Sequence, residues 1–578
     1  NVLWNKAART AYICMRDHFY DCPDRERVGF WGDGTPELNQ CFYIFDSKAH
    51  QLAKDLVRRK LEPRFYPGQH LEFLGEYGLW FYYLHTGDVE SIRAVYDQTK
   101  TFLFETYQSG NPKTWFDWGV EIKDTAVIET CFLYIDLQAL RKMALVTGHD
   151  ADVPAIDAKL DAIKSSFDAK YWQGSYYMSS QVSTPDDRAN AMAVNAGLAD
   201  PTKWQAIYDN VLTKKFNASN FFDRWVFEAL STMGKQEYAL LRMYDRYKTM
   251  IPCSITTLWE GYDRWWASVT NAYEEASSLN HGWNPPALFL SQNIAGVSPI
   301  EAAWKTYQVM PKEAFLTSFK VAVPTLKGKV TVAMKKTTSG YALDLTSPAD
   351  TTAIVGIPKV SFTKLNSISV NGTPVWNGTF SGGVAGITWQ GEDASYVMFK
   401  AAPGTWQFVG HGTLPITSPK PLPQPPPVEV KLEKNGWLAS ASVPDASFLF
   451  SGDKIPVDAS AANAIDGDHW TVWRDTTDVQ HPGQWFQVDM RQAQTFDSIV
   501  LDNTWALWDS PAKVAVTVSN DGTAWGAPIA TAAGSLGITR ISFPTQTARF
   551  IRVTQTGTNA KYTWSINEFD VCVKGKTP

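Results

Sequence analysis

The sequence predicts a multidomain fold in which an all-helical region is followed by two all-β units. Residues 1–303 repeat their apolar side chains at helical spacing, between short loops with Gly, Pro and Asp. From residue 304 the period becomes two, which is typical of an antiparallel β-sandwich, here ending near residue 412. A proline-rich linker over 413–430 is expected to be extended, and it separates a last all-β unit over 431–578.

The helical region is expected to hold roughly ten to twelve helices, judged from its apolar periodicity. Helices paired as hairpins suggest a closed toroid, although the same pattern would suit an open α-solenoid. The clearest predicted helices are Leu3–Tyr20, Glu76–His85, Thr125–Thr147, Pro154–Tyr171, Pro201–Thr213, Phe221–Met233 and Lys235–Met250.

Short strands of alternating polarity make up both β units. An Asn371-Gly372 pair predicts a tight hairpin turn in the first of them. Its predicted strands are 319–323, 328–334, 341–345, 353–358, 367–373, 396–399 and 404–408. Those of the last unit are 485–490, 497–501, 514–518 and 550–554.

Composition limits the class of protein. A net charge of −6 without a basic stripe argues against nucleic acid as a partner. No apolar run is long enough for a membrane span, and the six cysteines show neither zinc nor disulfide-scaffold spacing, so free buried thiols are expected. The chain shows no signal peptide and starts at Asn1 without Met, so processing or trimming is expected. The 24 Trp and 23 Tyr suit sugar binding, because flat rings stack on pyranose faces, although a large core also uses aromatic residues.

One stretch after the first helix concentrates acids, arginines, aromatics and glycines within a few residues. Arginines favour the charged form of a neighbouring carboxylate and burial against rings favours the neutral form, a balance that suits a general acid. On composition alone, a surface turn with salt bridges explains the stretch as well. It reads Asp21-Cys-Pro-Asp-Arg-Glu-Arg-Val-Gly-Phe-Trp-Gly-Asp33.

This stretch resembles the defining motif of the α-L-rhamnosidases of glycoside hydrolase family 78. The resemblance implies an inverting α-L-rhamnosidase built on an (α/α)6 barrel, with Glu26 as the general acid. Thr256-Thr-Leu-Trp-Glu260 resembles the family segment that carries the general base, which assigns that role to Glu260; a Glu near a helix N-terminus is the structural alternative. Inversion predicts that the two carboxyl groups lie roughly 6.5–9.5 Å apart, and the chemistry needs no metal or organic cofactor.

The resemblance extends to residues that hold the sugar. Ser278-Leu-Asn-His-Gly282 resembles a family element whose His contacts rhamnose, although a lone His is more often a core residue. Trp115–Gly119 resembles the element that forms the pocket wall. Phe30 stands where the family usually has Trp, and an acid that many members have before Glu26 is missing, so substrate preference is expected to differ. The candidate substrate-binding residues are Asp21, Arg25, Trp31, Asp33, Asp117, Trp118 and His281.

The last unit is similar to the discoidin, or coagulation factor V/VIII type C, domain, a jelly-roll β-sandwich. The similarity runs from Asn463–Trp473 through Ser519–Trp525 to Trp564–Glu568. In bacterial glycosidases this fold often serves as a family 32 carbohydrate-binding module, so a glycan partner is expected. Trp505 and Trp508 are candidates for a sugar platform or for core residues.

Members of the discoidin family often hold a structural calcium ion, which prefers oxygen ligands. The donors of this chain nearest that pattern are Asp466, Asp468, Thr471 and Glu568. An Asx turn beginning at Asp466 explains part of the same pattern without a metal.

The leading hypothesis is an enzyme that removes terminal α-L-rhamnosyl residues from a polysaccharide or glycoside. The polymer-binding unit implies a periplasmic or extracellular location in a bacterium. The alternatives are a carbohydrate-binding protein with a degenerate barrel and an (α/α)6 glycosidase for another sugar. The presence of both Glu26 and Glu260 favours the enzyme.

Overall fold

A computed structural model describes most of the chain in two compact units. One unit holds the described residues up to 414, and the other holds those from 429 onward. The described residues are 1–23, 27–29, 31–46, 49–59, 67–106, 117, 123–253, 255–262, 280–337, 340–414, 429–448, 456–468, 471–503, 506–535 and 537–574.

The first part of the first unit is helical. None of its described helices combines the length and apolarity that crossing a bilayer requires. Short 3₁₀ and π-helical turns extend several of the α-helices. The α-helices are α1 Val2–Cys14, α2 Trp31–Ile44, α3 His50–Val57, α4 Pro67–Leu74, α5 Phe81–Thr86, α6 Val89–Thr101, α7 Thr125–Thr147, α8 Val153–Tyr171, α9 Asp187–Asn195, α10 Trp204–Ile207, α11 Asp223–Thr232, α12 Gln236–Arg246 and α13 Pro286–Leu288.

Neighbouring helices pack as expected of hairpins. Helix α7 lies against α6, α8 and α9, and α11 lies against α9 and α12. Helix α13, the last of the region, packs against α1 and α2, the first. A contact between the two ends of the helical series is expected of a toroid and not of an open α-solenoid.

Helices α7 and α2 show how local sequence and burial shape this region. The bounds predicted for α7 are confirmed: Asp124 caps it by accepting a hydrogen bond from the Val127 amide (3.4 Å), and Gly148 ends it in a left-handed conformation. Helix α2 is buried on every face from Trp31 to Tyr43, including its polar residues. Such a helix is usually apolar all round, so the polar residues of α2 are an exception.

The first predicted helix was too long. Helix α1 ends at Cys14, and Met15 and Phe19 form an isolated antiparallel bridge around a tight turn. The Tyr20 amide then donates to the Cys14 carbonyl (2.8 Å), so the chain doubles back. Phe19 is buried although it lies beyond the helix, so an apolar residue stands where a continued helix would also place one. The predicted helices that end at Met233 and Met250 also overrun, since α11 and α12 stop earlier.

The second part of the first unit is a β-sandwich that shares one hydrophobic core with the helices. One sheet has the strand order β1-β2-β6-β10-β9, and the other has the order β3-β4-β5-β11-β7-β8. The strands are β1 Val297–Pro299, β2 Thr306–Val309, β3 Ser318–Thr325, β4 Gly328–Thr337, β5 Gly340–Ser347, β6 Thr352–Pro358, β7 Lys364–Val370, β8 Thr373–Trp376, β9 Ile387–Glu392, β10 Tyr396–Ala401 and β11 Gly404–Thr413.

Two details of the sandwich bear on the sequence predictions. Asn371 and Gly372 both have positive φ (47° and 81°) between β7 and β8, so the predicted hairpin turn is confirmed. Strands β2 and β6 pair in parallel, which departs from a purely antiparallel sheet. The chain builds β3 to β5 of the other sheet between them, and such a crossover allows parallel pairing.

The second unit is an all-β fold around a core that includes Trp437, Trp473 and Trp564. Its main sheet has the order β12-β22-β17-β20-β18-β19, with β13 also paired to β17. Two predicted strands, 485–490 and 497–501, are parts of the single strand β17, whose register shifts between them. The strands are β12 Glu429–Lys431, β13 Leu438–Ala441, β14 Ser447–Phe448, β15 Val457–Asp458, β16 Trp473–Arg474, β17 Trp485–Asp502, β18 Lys513–Ser519, β19 Ala530–Ala533, β20 Ile538–Gln555, β21 Ser565–Ile566 and β22 Glu568–Lys574.

Candidate active site

Asp21 opens the motif and is held in place by backbone bonds. Its amide donates to the Val28 carbonyl (3.0 Å), and its Oδ1 accepts from the Val28 amide (3.0 Å). Arg27, just before Val28, has a φ of 56°, which bends the chain back. The Asp21 carboxylate is therefore buried in a fixed orientation. Arg25 and Glu26, also assigned to the site, lie outside the described residues.

Three polar groups from two distant segments of the chain converge here. A carboxylate oxygen of Asp21, the Cys22 Sγ and a ring nitrogen of His281 all lie within 4.8 Å of one another. The His281 Nδ1 also lies 3.9 Å from the Asp33 Oδ1. The structure thus brings together Asp21, Asp33 and His281, which the sequence assigned to one sugar site. A Cys, His and carboxylate set can also bind a divalent metal, so chelation belongs among the controls of any assay.

Trp283 fixes the His281 ring from one side. The ring centroids of His281 and Trp283 are 3.9 Å apart, with an interplanar angle of 34°. The Cys14 Sγ contacts the carbonyl of Asn280, the preceding residue (2.9 Å). His281 is therefore held by ring packing as well as by its backbone.

The segment that carries Glu260 is tied to the His281 segment. The Leu258 carbonyl accepts from the Asn280 amide (3.0 Å) and the His281 amide (3.2 Å). On its other side, the Leu258 amide donates to the Thr10 Oγ1 (2.8 Å). Glu260 is itself buried, two residues farther on. The predicted base and the predicted sugar-contacting His thus lie on neighbouring, hydrogen-bonded segments.

Two asparagines complete this connection, and the sequence reasoning did not identify them. The Trp259 carbonyl accepts from the side-chain amides of Asn220 (2.6 Å) and Asn284 (2.9 Å). Asn284 also donates to the His281 carbonyl (2.9 Å), and its Oδ1 accepts from the Tyr247 hydroxyl (2.9 Å). Asn284 lies three residues after His281, and that proximity in sequence is the one local signal for its role.

Asp117 is placed in a different environment. Its Oδ2 accepts from Arg188 Nη1 (2.8 Å) and from the Ser219 amide (3.1 Å), and its Oδ1 accepts from the Ser219 hydroxyl. Both oxygens of Asp117 thus accept hydrogen bonds from protein donors, which favours a structural role for this residue. Trp118, its neighbour in the predicted pocket wall, lies outside the described residues.

Trp31 is fully buried, in contrast to what a stacking platform requires. Its ring meets His70 and Phe73 edge-on, at centroid distances of 5.3 and 4.8 Å. This placement favours a packing role beneath the site.

Two further acids lie close to Asp33. Glu37 follows it by one turn of α2, and Glu72 lies on α4. Burial raises the pKa of both carboxyl groups well above the usual range, and the negative charge of Asp33 adds to the effect in each case. Sequence reasoning did not identify them, because a Glu at one position of a helix usually faces water.

The donors predicted for calcium in the second unit are engaged by protein partners. The Asp466 Oδ1 accepts from the Asp468 amide (2.8 Å), which is the Asx turn, and its Oδ2 accepts from the Thr471 hydroxyl (2.9 Å). Glu568 forms an ion pair with Lys434. Among the described residues of this unit, no three acids, His or Cys bring ligand atoms within 4.8 Å of one another. Glu568 therefore does not fit a calcium site, because an ammonium group already neutralises it.

An aromatic ledge lies on the surface of the second unit. Trp508 is 44% exposed, and its ring stacks on Tyr562 with centroids 5.4 Å apart at 18°. The two rings border a shallow cavity of about 300 Å³, together with Ser510 and Asn559. An exposed Trp ring that stacks on a half-buried Tyr ring beside polar groups is suited to sugar stacking. Trp505 lies outside the described residues.

Three family models match the chain. Residues 72–294 match the bacterial alpha-L-rhamnosidase 6 hairpin glycosidase domain, and residues 296–367 match the bacterial alpha-L-rhamnosidase C-terminal domain. Residues 447–569 match the F5/8 type C domain. The family resemblance and the fold class predicted from the sequence are therefore confirmed, while the domain limits stay predictions.

Similar proteins point the same way. An α-L-rhamnosidase of Alteromonas sp. (strain LOR) is 22% identical over 409 residues, which are 63% of this chain and 44% of the relative. The α-L-rhamnosidase structures from Dictyoglumus thermophilum and Streptomyces avermitilis match with TM-scores of 0.60 and 0.57, at 18% and 16% identity. Each covers 71% of this chain, but the matched parts are 49% and 41% of the solved chains. At such identity the structures establish the fold alone, and this chain spans less than half the length of each relative.

Proposed function

Since the chain carries the six-hairpin and C-terminal domains of the bacterial α-L-rhamnosidases and an F5/8 type C domain, we propose that it hydrolyses terminal α-L-rhamnosyl residues with inversion. The substrate is a polysaccharide or glycoside. The observation that carries the proposal is the convergence of Asp21, Asp33 and His281 beside the segment of Glu260.

The two catalytic carboxyl groups have opposite tasks. Glu260, as the general base, takes a proton from a water molecule whose oxygen attacks the anomeric carbon. Glu26, as the general acid, gives its proton to the glycosidic oxygen as the bond from that oxygen to the anomeric carbon breaks. One water is consumed, and inversion requires room for it between carboxyl groups roughly 6.5–9.5 Å apart.

The sugar is held by groups of complementary hydrogen-bonding type. Asp21 and Asp33 accept hydrogen bonds from rhamnose hydroxyls, Arg25 donates to them, and His281 does either, depending on its tautomer. Trp118 supplies an apolar wall for the C6 methyl group. These contacts act on the ring, whereas Glu26 and Glu260 act on the bond that breaks.

The test is hydrolysis of an aryl α-L-rhamnoside with a chelator present and absent. E26Q and E260Q are each expected to lose about 10²–10⁴-fold in kcat, and the wild type is expected to release the β anomer first. E90Q, which changes an exposed acid on α6, is the matched control. Wild-type rates in E260Q, or release of the α anomer, would exclude this mechanism. Loss of activity in the presence of the chelator would instead indicate that hydrolysis depends on a bound metal ion.

We propose that the second unit binds the glycan that carries the substrate and that the protein acts in the periplasm or outside the cell. The stacked pair Trp508 and Tyr562 supports this role. W508A is expected to lose retention on a rhamnose-containing polysaccharide in affinity electrophoresis while it still hydrolyses the aryl glycoside. Equal retention of W508A and wild type would remove the ledge from the binding surface.

A further inference from the structure

Two acids beside the proposed sugar site are buried and have no partner in the part of the chain that the structure describes. Glu37 is 2% exposed and Glu72 is fully buried. Among the described residues, no group forms a hydrogen bond or ion pair with any of their four carboxyl oxygens. A buried polar group without a partner destabilises the folded state. Their presence in the core therefore calls for an explanation other than stability.

Glu37 supports the residue that follows His281. A Cβ at Gly282 would lie 1.8 Å from the Glu37 Oε1, so the carboxyl group packs directly against the glycine. The Gly282 carbonyl accepts from Gln40 Nε2 (2.9 Å), and its amide donates to the Asp21 carbonyl (3.1 Å). Gly282 is thus enclosed by α2 on one side and by the Asp21 segment on the other, and Glu37 forms part of that enclosure.

Glu72 supports the residue that precedes Asp33. A Cβ at Gly32 would lie 2.9 Å from the Glu72 Oε2 and 3.1 Å from the Gln69 Cγ. The two motif glycines therefore have the same function, because each leaves space for a buried carboxyl group. One glycine adjoins Asp33 and the other adjoins His281, the two residues whose side chains approach to 3.9 Å.

The charges around the two acids favour their neutral form. Asp33 lies one helical turn before Glu37 on the same face of α2, and Asp21 approaches from the segment after α1. The negative charges of Asp33, Asp117 and Asp136 act on Glu72. Burial raises the pKa of both glutamic acids, and these neighbouring acids raise it further. Farther along α2, burial together with Glu37 raises the pKa of the Cys41 thiol.

We propose that Glu37 and Glu72 are positioning residues of the sugar site, retained as neutral acids that orient Asp33 and His281 although they destabilise the fold. A neutral carboxyl group fills the space beside each glycine and adds no negative charge next to Asp33. Asp33 can then stay ionised and accept from a sugar hydroxyl. The proposal rests on the proposed function, since it assigns these acids to rhamnose binding.

Leucine substitutions separate this role from an ordinary structural one. Leucine has a similar size and lacks the polar group, so E37L and E72L are expected to unfold at the same or a higher urea concentration than the wild type. The same variants are expected to bind L-rhamnose about tenfold more weakly or worse in calorimetry. A residue with a merely structural role would lose stability and affinity together.

Glutamine substitutions test the neutral state. E37Q and E72Q keep a neutral polar group and are expected to recover most of the affinity that leucine removes. In infrared spectra at neutral pH, each variant is expected to lose one protonated carboxyl band that the wild type shows. Y341F is the matched control, because the Tyr341 hydroxyl is also buried and has no hydrogen-bond partner among the described residues, but lies on β5 of the sandwich; the variant is expected to be at least as stable as the wild type and to bind rhamnose normally.

The outcomes that would overturn the proposal are distinct. Wild-type affinity in both leucine variants would exclude a positioning role, as would a fall in stability that parallels the loss of binding. Infrared bands unchanged in E37Q and E72Q would exclude neutral acids. A wild type that binds no L-rhamnose would refute the proposed function and the positioning role together, while the infrared bands would still report the protonation state separately.

Discussion

Two regions of the helical part of the first unit bury ionisable groups. One region pairs them with opposite charges, and the other leaves them without hydrogen-bond partners among the described residues. In the region of α9, α11 and α12, Asp187 and Asp223 meet the guanidinium groups of Arg242 and Arg246 at 2.7–3.1 Å. In the region of α2 and α4, the side chains of Glu37, Glu72 and His70 have no hydrogen-bond partner among the described residues. Both regions lie in the same core, so burial alone does not separate them.

The difference indicates which region serves as scaffold. The remaining Asp187 oxygen accepts from the Asn217 amide (3.2 Å), and the Tyr262 hydroxyl donates to Asp223. A buried ionic network with every group satisfied gives one well-defined arrangement. Through Tyr262, two residues after Glu260, this network also fixes one flank of the proposed site. The unpaired region instead stores unfavourable interactions, which are expected where function requires them.

Breaking the paired network is expected to have the largest effect. R242L leaves the buried Asp187 without its ion-pair partner and leaves Asp223 with Arg246 alone. The free energy of unfolding is expected to fall by about 3–5 kcal/mol, because unpaired buried charges are strongly destabilising. Urea unfolding measures this change. R93L, which breaks the exposed pair of Arg93 with Glu90, is the control and is expected to change stability far less. A loss in R242L as small as in R93L would mean that the network contributes nothing as scaffold.

The unpaired region is expected to respond to pH through His70. Burial lowers the pKa of His70 to about 4, and its ring packs edge-on to Trp31 and Phe102. The folded state holds His70 neutral, whereas the unfolded chain takes up a proton below about pH 6.5. The stability associated with this group is therefore present above pH 6.5 and is lost as the pH falls toward 4.

H70F removes this titration and keeps an aromatic ring in the same space. The free energy of unfolding of H70F, relative to that of the wild type, is expected to be about 2 kcal/mol higher at pH 5 than at pH 8. Urea unfolding of both proteins at the two pH values gives the comparison. A difference that does not vary with pH would mean that His70 has a partner in the folded state.

The sequence was most informative where a function depends on residue type and local order. Asp21, Asp33 and His281 were assigned through their motifs, and they converge in the structure. Helix α7 was predicted to the residue from its apolar spacing and the Gly that follows it, and the structure adds an Asp cap at its start. Both kinds of signal lie within a few residues of what they predict.

The sequence was least informative where an environment arises from distant segments. Glu37 has the spacing of an ordinary helical residue, and its burial arises from the packing of distant segments, among them that of Gly282. The hydrogen bonds that join Asn220 to Trp259 and Asn284 span tens of residues and leave no local pattern. Long-range polar contacts of this kind require the tertiary structure.

The smallest effect is expected for an exposed ion pair of the second unit. Asp489 receives two hydrogen bonds from Arg549, at 2.7 and 2.8 Å, a geometry as good as that of the buried network. Arg549 is 37% exposed, so water and salt screen the pair. Hydrogen bonding from Arg549 lowers the pKa of Asp489. The stability that the ionised Asp489 carboxylate contributes is therefore present above about pH 4 and is lost as the pH falls below that.

D489N is expected to lower the free energy of unfolding of its unit by less than about 1 kcal/mol, and less again at high salt. Denaturation at low and high ionic strength measures both effects. The pair shares its geometry with the Arg242 network but not its burial, so the two substitutions together separate these causes. If D489N destabilised the protein as much as R242L, geometry alone would explain the scaffold. The absence of partners around Glu37 and Glu72 would then lose its meaning as a mark of function.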